Sequence, residues 1–387
     1  MKKTIVSESV SKGHPDKIAD QISDAILDAY LQRHPNVRTG IETMVKDNIV
    51  VLGGEVYAPT IINYDNVVRT VYENLKFPES HHLNPENIKV INLIGQQSPQ
   101  IHSGVDRQTI GAGDQGFVVG FSTNETPSRL GLGHHIAHWI TMMLPAIFNF
   151  TGPDCKSQVI VHRDEEGNNV IDNILISTMH YCDLYELRTA LRSRFNEIFV
   201  GESRKIWEKY IEPRMADPDF LTINPCGHWD IGGPVADCGV TGRKIVVDNY
   251  GGYSNVGGGA FSGKDMTKVD RSGAYMARYI ANNIVASGLS NTAKVELSYK
   301  IGIPEPSSVS VQLDNNTINT DAVIETIKNN FDMTPSGIME KFDYRTPRNY
   351  NLAMNGHFGY YDFDKTILSI MRPWEITDKT ECFKNLL

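Results

Sequence analysis

The chain has 387 residues, 40% hydrophobic and 21% charged, the composition of an ordinary globular protein with room for two or three domains. Lysine and arginine number 37 against 46 aspartate and glutamate, and the net charge of −9 argues against a general nucleic-acid binder while leaving room for a local cationic pocket. Five scattered cysteines without a CxxC pair argue against a disulfide scaffold and fit a reducing, cytoplasmic setting. The start MKKTIVSESV lacks the apolar run of a signal peptide, and the stretch IAHWITMMLPAIF is too short to cross a bilayer.

In chain order, the first predicted element is a helix through HPDKIADQISDAILDAY, with Ile18, Ile22, Ile26 and Tyr30 on one face. Pro15 suits its first turn, so His14 and Asp16 stand at a helix N-terminus, a natural anion site. VRTGIETMVK and NIVVLGGEVY read as strands and YDNVVRTVYENLK as a helix. KSQVIVHR, the turn DEEGN and NVIDNILISTMHY read as a hairpin, followed by the helix DLYELRTALRSRFNEIFV. KIVVDNY reads as a strand, and GAYMARYIANNIVASG as a helix. AKVELSYKIGI and SSVSVQLD form a last strand pair before the helix DAVIETIKNNF. Hairpin followed by helix thus occurs three times, which predicts an α+β protein of three similar domains.

Two glycine-rich, aperiodic segments interrupt this pattern, 94–116 and 224–244, and loops of this kind let backbone approach a ligand closely. GGGAFSGKD (257–265) nearly matches a Walker phosphate loop, but Asp265 stands where Ser or Thr would hold magnesium. Around it gather Arg243, Lys244, Lys264, Lys268 and Arg271, with Asp237 and Asp270 interspersed. Lys264 and Lys268 are predicted to share one helical face. Cations embedded in Gly, Ala and Phe suit a polyphosphate bridged by a divalent ion. A kinase or ATPase using 258–264 and a non-catalytic nucleotide-binding subunit are the alternatives.

The motifs SESVSKGHPDKIADQISDA, GAGDQG, DCKSQV, INPCGHWDIGGPVADCGVTGRKIVVDNYGG and GGGAFSGKDMTKVDRSGAY occur in this order. Together they resemble the S-adenosylmethionine synthetase family over nearly the whole chain. The resemblance implies three α+β domains with mixed sheets and helices on one face, related by pseudo-threefold symmetry, spanning about 1–100, 112–226 and 231–387. It also implies a mobile lid at 97–110. The implied reaction joins ATP to methionine, releases tripolyphosphate and cleaves it to pyrophosphate and phosphate. His14, Lys156, Arg243, Lys264 and Lys268 are the implied catalytic residues.

By the same resemblance, ATP would contact Asp114, Asp154, His228, Trp229, Asp237, Lys244 and Ala260 besides the catalytic cations. Methionine would contact Glu55, Gln97, Asp237 and Lys268. Asp16 and Asp270 would bind about two Mg²⁺, and Glu42 a K⁺. The implied assembly is a dimer or dimer of dimers with sites between subunits, with no nucleic-acid or membrane partner. The chain departs from the family pattern at His228-Trp229-Asp230, where Arg-Phe-Val is usual, and in segments 126–140 and 335–375.

Overall fold

The computed structural model describes residues 4–97, 110–359 and 372–387. Strand β1 (Thr4–Val10) leads into helix α1 (Pro15–Leu31), then the hairpin β2 (Arg38–Lys46) and β3 (Ile49–Tyr57), helix α2 (Tyr64–Leu75) and the short strands β4 (Lys89–Asn92) and β5 (Gly95–Gln96). The order returns as β6 (Gly116–Thr123), α3 (Leu132–Ile147), the hairpin β7 (Thr151–Arg163) and β8 (Asn169–His180), α4 (Leu184–Arg194) and β9 (Leu221–Ile223). It returns again as β10 (Gly239–Val240), α5 (Val269–Ala286), the hairpin β11 (Thr292–Tyr299) and β12 (Ser308–Leu313), and α6 (Thr320–Asn330). Helices α7 (Pro335–Lys341) and α8 (Asn349–Met354) follow.

Three sheets result, in the orders β1-β7-β8-β9, β10-β2-β3-β4 with β5 also beside β3, and β12-β11-β6. The strand that opens each third of the chain pairs with another third's hairpin. β1 lies antiparallel to β7, β6 to β11, and β10 to β2, so the exchange runs in a closed cycle. The long helix after each exchanged strand packs on its own hairpin instead: α1 on β2, α3 on β7, α5 on β11. This cyclic repeat is the pseudo-threefold relation, and it covers one edge of each hairpin.

Helix α1 buries Ile18, Ile22, Ile26 and Tyr30 against Val45, Val50, Leu52 and Val68 in the core of the β10-β2-β3-β4 sheet. A second, continuous core underlies the other two sheets, with Leu187 and Leu191 of α4, Trp139 and Ile140 of α3 and Ile280 of α5. The backbone of α5 approaches β6 so closely that a Cβ at Gly120 would lie 2.0 Å from the Ala277 carbonyl carbon. Helix α3 carries three buried histidines. Ser9 Oγ bonds His138 Nδ1 at 2.8 Å, which ties the divergent 126–140 segment to β1, and Ser128 Oγ bonds His135 Nδ1 at 2.7 Å within that segment.

The predicted strand KIVVDNY does not form. Residues Ile245–Asp248 make one helical turn, because Asp248 turns inward and its Oδ1 accepts from the buried Lys17 Nζ at 2.6 Å. A tertiary ion pair here overrides the strand preference of three β-branched residues.

The C-terminal residues are fastened through a buried ion pair. Arg278 of α5 donates Nε and Nη2 to the Glu375 carboxylate at 3.0 and 2.9 Å, and Nη2 also to the Ser128 carbonyl. Arg278→Ala leaves Glu375 without its countercharge, and is expected to lower unfolding free energy by about 3–5 kcal/mol in urea titrations. Lys384→Ala, which breaks an exposed pair with Glu381, is expected to leave the midpoint within error.

Candidate active site

The site is built on one face of α1. His14 is the helix N-cap, and its Nδ1 accepts from the Asp16 N–H at 3.2 Å, so its ring proton sits on Nε2. Asp16, Asp20, Asp24 and Asp28 then recur every fourth residue, on one side of the helix. Each accepts backbone N–H groups from chain more than 200 residues away. Asp16 Oδ1 takes Val240 N at 2.9 Å and Asp20 Oδ1 takes Gly242 N at 2.8 Å. Asp24 Oδ1 takes Gly263 N at 2.8 Å. Asp28 takes the N–H groups of Arg348, Asn349 and Tyr350 at 2.9 to 3.1 Å.

Around the first rung lie seven of the expected residues. Lys244 Nζ is 2.5 Å from Asp16 Oδ2, and Arg243 Nη1 is 3.7 Å from Asp16 Oδ1. Burial opposes ionisation of Asp16, but the bonds from Lys244 and Val240 win and hold its carboxyl below the usual range. Burial, reinforced by Lys244 and then Lys156, pushes His14 down to about 3, so the ring is neutral at physiological pH. Lys156 is exposed on β7. Asp154 is buried two residues earlier; its Oδ2 accepts from Gly233 N at 2.8 Å, while Oδ1 has no hydrogen-bond partner among the described residues. Burial, with Asp237 adding its charge, pushes Asp154 up to about 6 against the pull of Gly233 and Lys156. Asp237 is exposed, its Oδ1 taking the Cys238 N–H.

Trp229 borders this group on the chain leading to Gly233. Its indole N–H donates to Ile231 O at 2.6 Å, and its backbone exchanges bonds with His180 on both sides. His228 packs edge-on against His180 at 4.5 Å and lies 3.8 Å from the Asp230 carboxylate.

A second group surrounds Lys264, whose Nζ is 2.6 Å from Asp270 Oδ2 and whose backbone bridges to Gly40 of β2. Glu42 and Glu55 are exposed on the outward face of β2 and β3. Burial raises the Glu42 pKa, with Asp20 and Glu55 adding and Lys264 opposing. The loop carrying Asp114 passes the same place: a Cβ at Gly116 would sit 3.4 Å from Asp270 Oδ1. Ala260 joins the two groups, because a Cβ at Gly242 would be only 2.5 Å from its own. Gln97 follows β5, its N–H on Val56 O and its side-chain oxygen buried. The rest of the expected lid, 98–109, lies outside the described residues.

The expected helical face shared by Lys264 and Lys268 is not formed, because α5 starts only at Val269. The two lysines diverge: Lys264 pairs with Asp270, and Lys268 with Asp265 Oδ2 at 2.6 Å. Asp265 also accepts from Thr39 N at 2.8 Å and from both the N–H and hydroxyl of Thr267, so it pins the loop to β2 rather than capping the helix. The sequence reading missed Lys17, Asp20, Asp24 and Asp248. The four-residue recurrence of aspartate was the available signal.

Among the described residues, no three His, Cys, Asp or Glu side chains gather into a metal cage. Asp16 and Asp270 instead stand singly, each beside a lysine. That donor set fits a hard divalent ion whose remaining ligands are phosphate oxygens and water. Lys156, Arg243, Lys244 and Lys264 place four cationic side chains around these carboxylates.

The architecture and site therefore define a three-domain α+β protein whose candidate site gathers lysines and arginine around single carboxylates. Models of the N-terminal, central and C-terminal domains of S-adenosylmethionine synthetase match residues 2–99, 109–229 and 231–367. The chain is 40% identical over 394 aligned positions to an S-adenosylmethionine synthase of Mesoplasma florum, covering 99% of this chain and all of that one. It also superposes on an S-adenosylmethionine synthetase structure from Campylobacter jejuni with a TM-score of 0.86, at 33% identity and 99% coverage of both chains. The chain belongs to the S-adenosylmethionine synthetase family and is a methionine adenosyltransferase, an enzyme that makes S-adenosylmethionine from ATP and methionine. Among the described residues, no helix is long and apolar enough to cross a membrane.

The raised pKa of Asp154 has a consequence for stability. At pH above about 6 the native carboxylate is ionised in an unfavourable site; well below its ordinary value of 3.8 it is neutral folded and unfolded alike. Asp154→Asn is therefore expected to stabilise the ligand-free protein at pH 7.5 by roughly 2 kcal/mol relative to its effect at pH 4. Paired denaturation curves of wild type and variant across that range measure it.

Proposed function

We propose that the enzyme forms its product by direct attack of the methionine sulfur on C5′ of ATP. The C–S bond forms as the C5′–O bond breaks, the electron pair leaves with tripolyphosphate, and the sulfur becomes a sulfonium. Tripolyphosphate is then hydrolysed to pyrophosphate and phosphate before release. The thioether is neutral and nucleophilic without losing a proton, so the reaction needs no general base. The demand on the protein is to hold the reactants in line and stabilise the charge arriving on the leaving group.

The observation carrying this reading is the set of lysines paired to single carboxylates, Lys244 with Asp16 and Lys264 with Asp270. On substrate binding the lysines would turn to phosphate oxygens. Mg²⁺, held by Asp16 and Asp270 with phosphate oxygens, would supply further neutralisation of the leaving chain, and K⁺ would sit at Glu42. Lys156, Arg243 and Ala260 would complete the triphosphate contacts. Neutral His14, with its proton on Nε2, would donate to the oxygen leaving C5′.

Asp114, Asp154, His228, Trp229 and Asp237 would bind the nucleoside end, with Trp229 stacking on the base. Glu55, Gln97, Asp237 and Lys268 would hold methionine, the carboxylates meeting its ammonium and the lysine its carboxylate.

We further propose a dimer, or dimer of dimers, formed through the outward sheet faces. Met44, Ile49, Tyr57 and Ile91 are 40–48% exposed there, on the sheet that also carries Glu42 and Glu55. An interface on this face would place the active sites between subunits. The three chain units would run over about 1–100, 112–226 and 231–387, with a lid near 97–110, in a cytoplasmic enzyme.

Purified protein with ATP, methionine, Mg²⁺ and K⁺ is expected to yield sulfonium, pyrophosphate and phosphate in equal amounts, with no ADP. Accumulation of ADP would instead favour an ATPase. Lys156→Met is expected to reduce turnover by at least about 10²-fold while circular dichroism stays unchanged. Near-normal turnover would remove Lys156 from the mechanism.

A further inference from the structure

The loops that carry the cations do not touch α1 through their cationic side chains alone; their backbones are pinned to it. We propose that Asp24 is a positioning residue that sets Lys264 for triphosphate binding, and that Asp20 does the same for the Arg243–Lys244 loop. This rests on the reading of the site given above and extends it to residues that never meet substrate.

Asp24 is fully buried. Its Oδ1 accepts Gly263 N–H at 2.8 Å and Arg271 Nη1 at 2.6 Å, and its Oδ2 accepts Arg271 Nη2 at 3.0 Å. Arg271 Nη1 in turn reaches the Lys264 carbonyl at 3.1 Å. One carboxylate therefore fixes the backbone on both sides of Lys264, before it through Gly263 and after it through Arg271.

Gly263 has little freedom to shift. Its φ is +82°, its carbonyl accepts from Ile41 N and from Thr39 Oγ1, and a Cβ there would lie 2.1 Å from Ile41 O. One helical turn earlier, Asp20 holds Gly242 N–H, immediately before Arg243 and Lys244, and Lys17 Nζ lies 3.1 Å from its other oxygen.

The two cationic loops are thus indexed to successive turns of one rigid helix, about 6 Å apart along its axis. Their separation is set by that helix as well as by the Gly242–Ala260 contact. Asp28, the next rung, makes bonds of the same kind but to residues 348–350, away from the cations. It is the natural control.

Isothermal titration of the full chain with inorganic tripolyphosphate and Mg²⁺ tests the proposal. Asp24→Asn keeps the side-chain shape but sets an amide NH₂ against Arg271; it is expected to weaken binding about tenfold or more. Asp28→Asn is expected to leave the affinity unchanged. A purely structural role would lower the denaturation midpoints of both variants without separating their affinities.

If Lys264→Ala weakens binding while Asp24→Asn binds like wild type, the positioning role is wrong and the phosphate site stands. If Lys264→Ala also binds like wild type, the phosphate reading itself fails. Should Asp24→Asn not fold, Asp20→Ala, which removes the Gly242 contact, is expected to show the same loss, and wild-type affinity there would overturn the proposal.

Discussion

The site depends on carboxylates buried along α1 and satisfied by backbone N–H groups of other segments. A buried carboxylate without partners is strongly disfavoured, and a backbone N–H donor together with a facing cation offsets that cost. Asp16, Asp20 and Asp24 each have one such backbone donor, with Lys244, Lys17 and Arg271 as their cations. The segments they hold have little regular structure of their own, so the helix supplies the rigidity that the loops lack. The glycines follow from this arrangement. At Gly239 a Cβ would strike the Pro15 carbonyl at 2.1 Å, so only a residue without a side chain lets that backbone reach α1.

The exchange of strands explains why these segments pass α1 at all. β10 adds to the edge of β2 beside α1, and the chain leaving it runs directly into Arg243 and Lys244. The bridge from Gly40 to Lys264 attaches the next loop to the same strand. At the same N-terminal end of the helix, the pairing of β1 with β7 sets Val10 opposite Lys156. His14, four residues after Val10, is thereby placed beside a lysine 142 positions away in sequence. Candidate site residues from three parts of the chain converge because each sheet takes an edge strand from another third.

Much of this was visible in the residues, and what was hidden has physical causes. The stripe Ile18, Ile22, Ile26 and Tyr30 and the three hairpins follow from periodicity, which local sequence reports well. The exchange does not: TIVSESV has no mark of a partner beginning near residue 156, and β10 is only two residues long. KIVVDNY looked like a strand because Ile245, Val246 and Val247 favour one, and only the Lys17–Asp248 pair shows otherwise. The aspartate ladder was in plain sight. Acids opposite an apolar stripe ordinarily face water, and nothing local distinguishes a solvated face from one covered by loops more than 200 residues away. For the site, residue types and glycine framing marked the loops that carry Arg243, Lys244, Lys264 and Asp270, whereas the meeting of those loops with Asp16 was implied only by the resemblance, and the division of Lys264 from Lys268 was not visible.

That division also answers why aspartate follows Gly263-Lys264. In a Walker loop the residue after lysine begins a helix whose N-terminal N–H groups bind phosphate, and its hydroxyl meets the metal. Here the helix begins four residues later, at Val269, and the acid is turned away from the cationic surface. Both oxygens of Asp265 are occupied by Thr39, Thr267 and Lys268, so its charge is neutralised inside the loop. A serine there would be too short to reach Thr39 N–H and Lys268 together, and the loop would lose its anchor on β2. The resemblance to a phosphate loop is therefore one of composition: glycine for close approach and lysine for charge. The geometry instead presents separate lysines and separate carboxylates, on two loops held to successive turns of one helix.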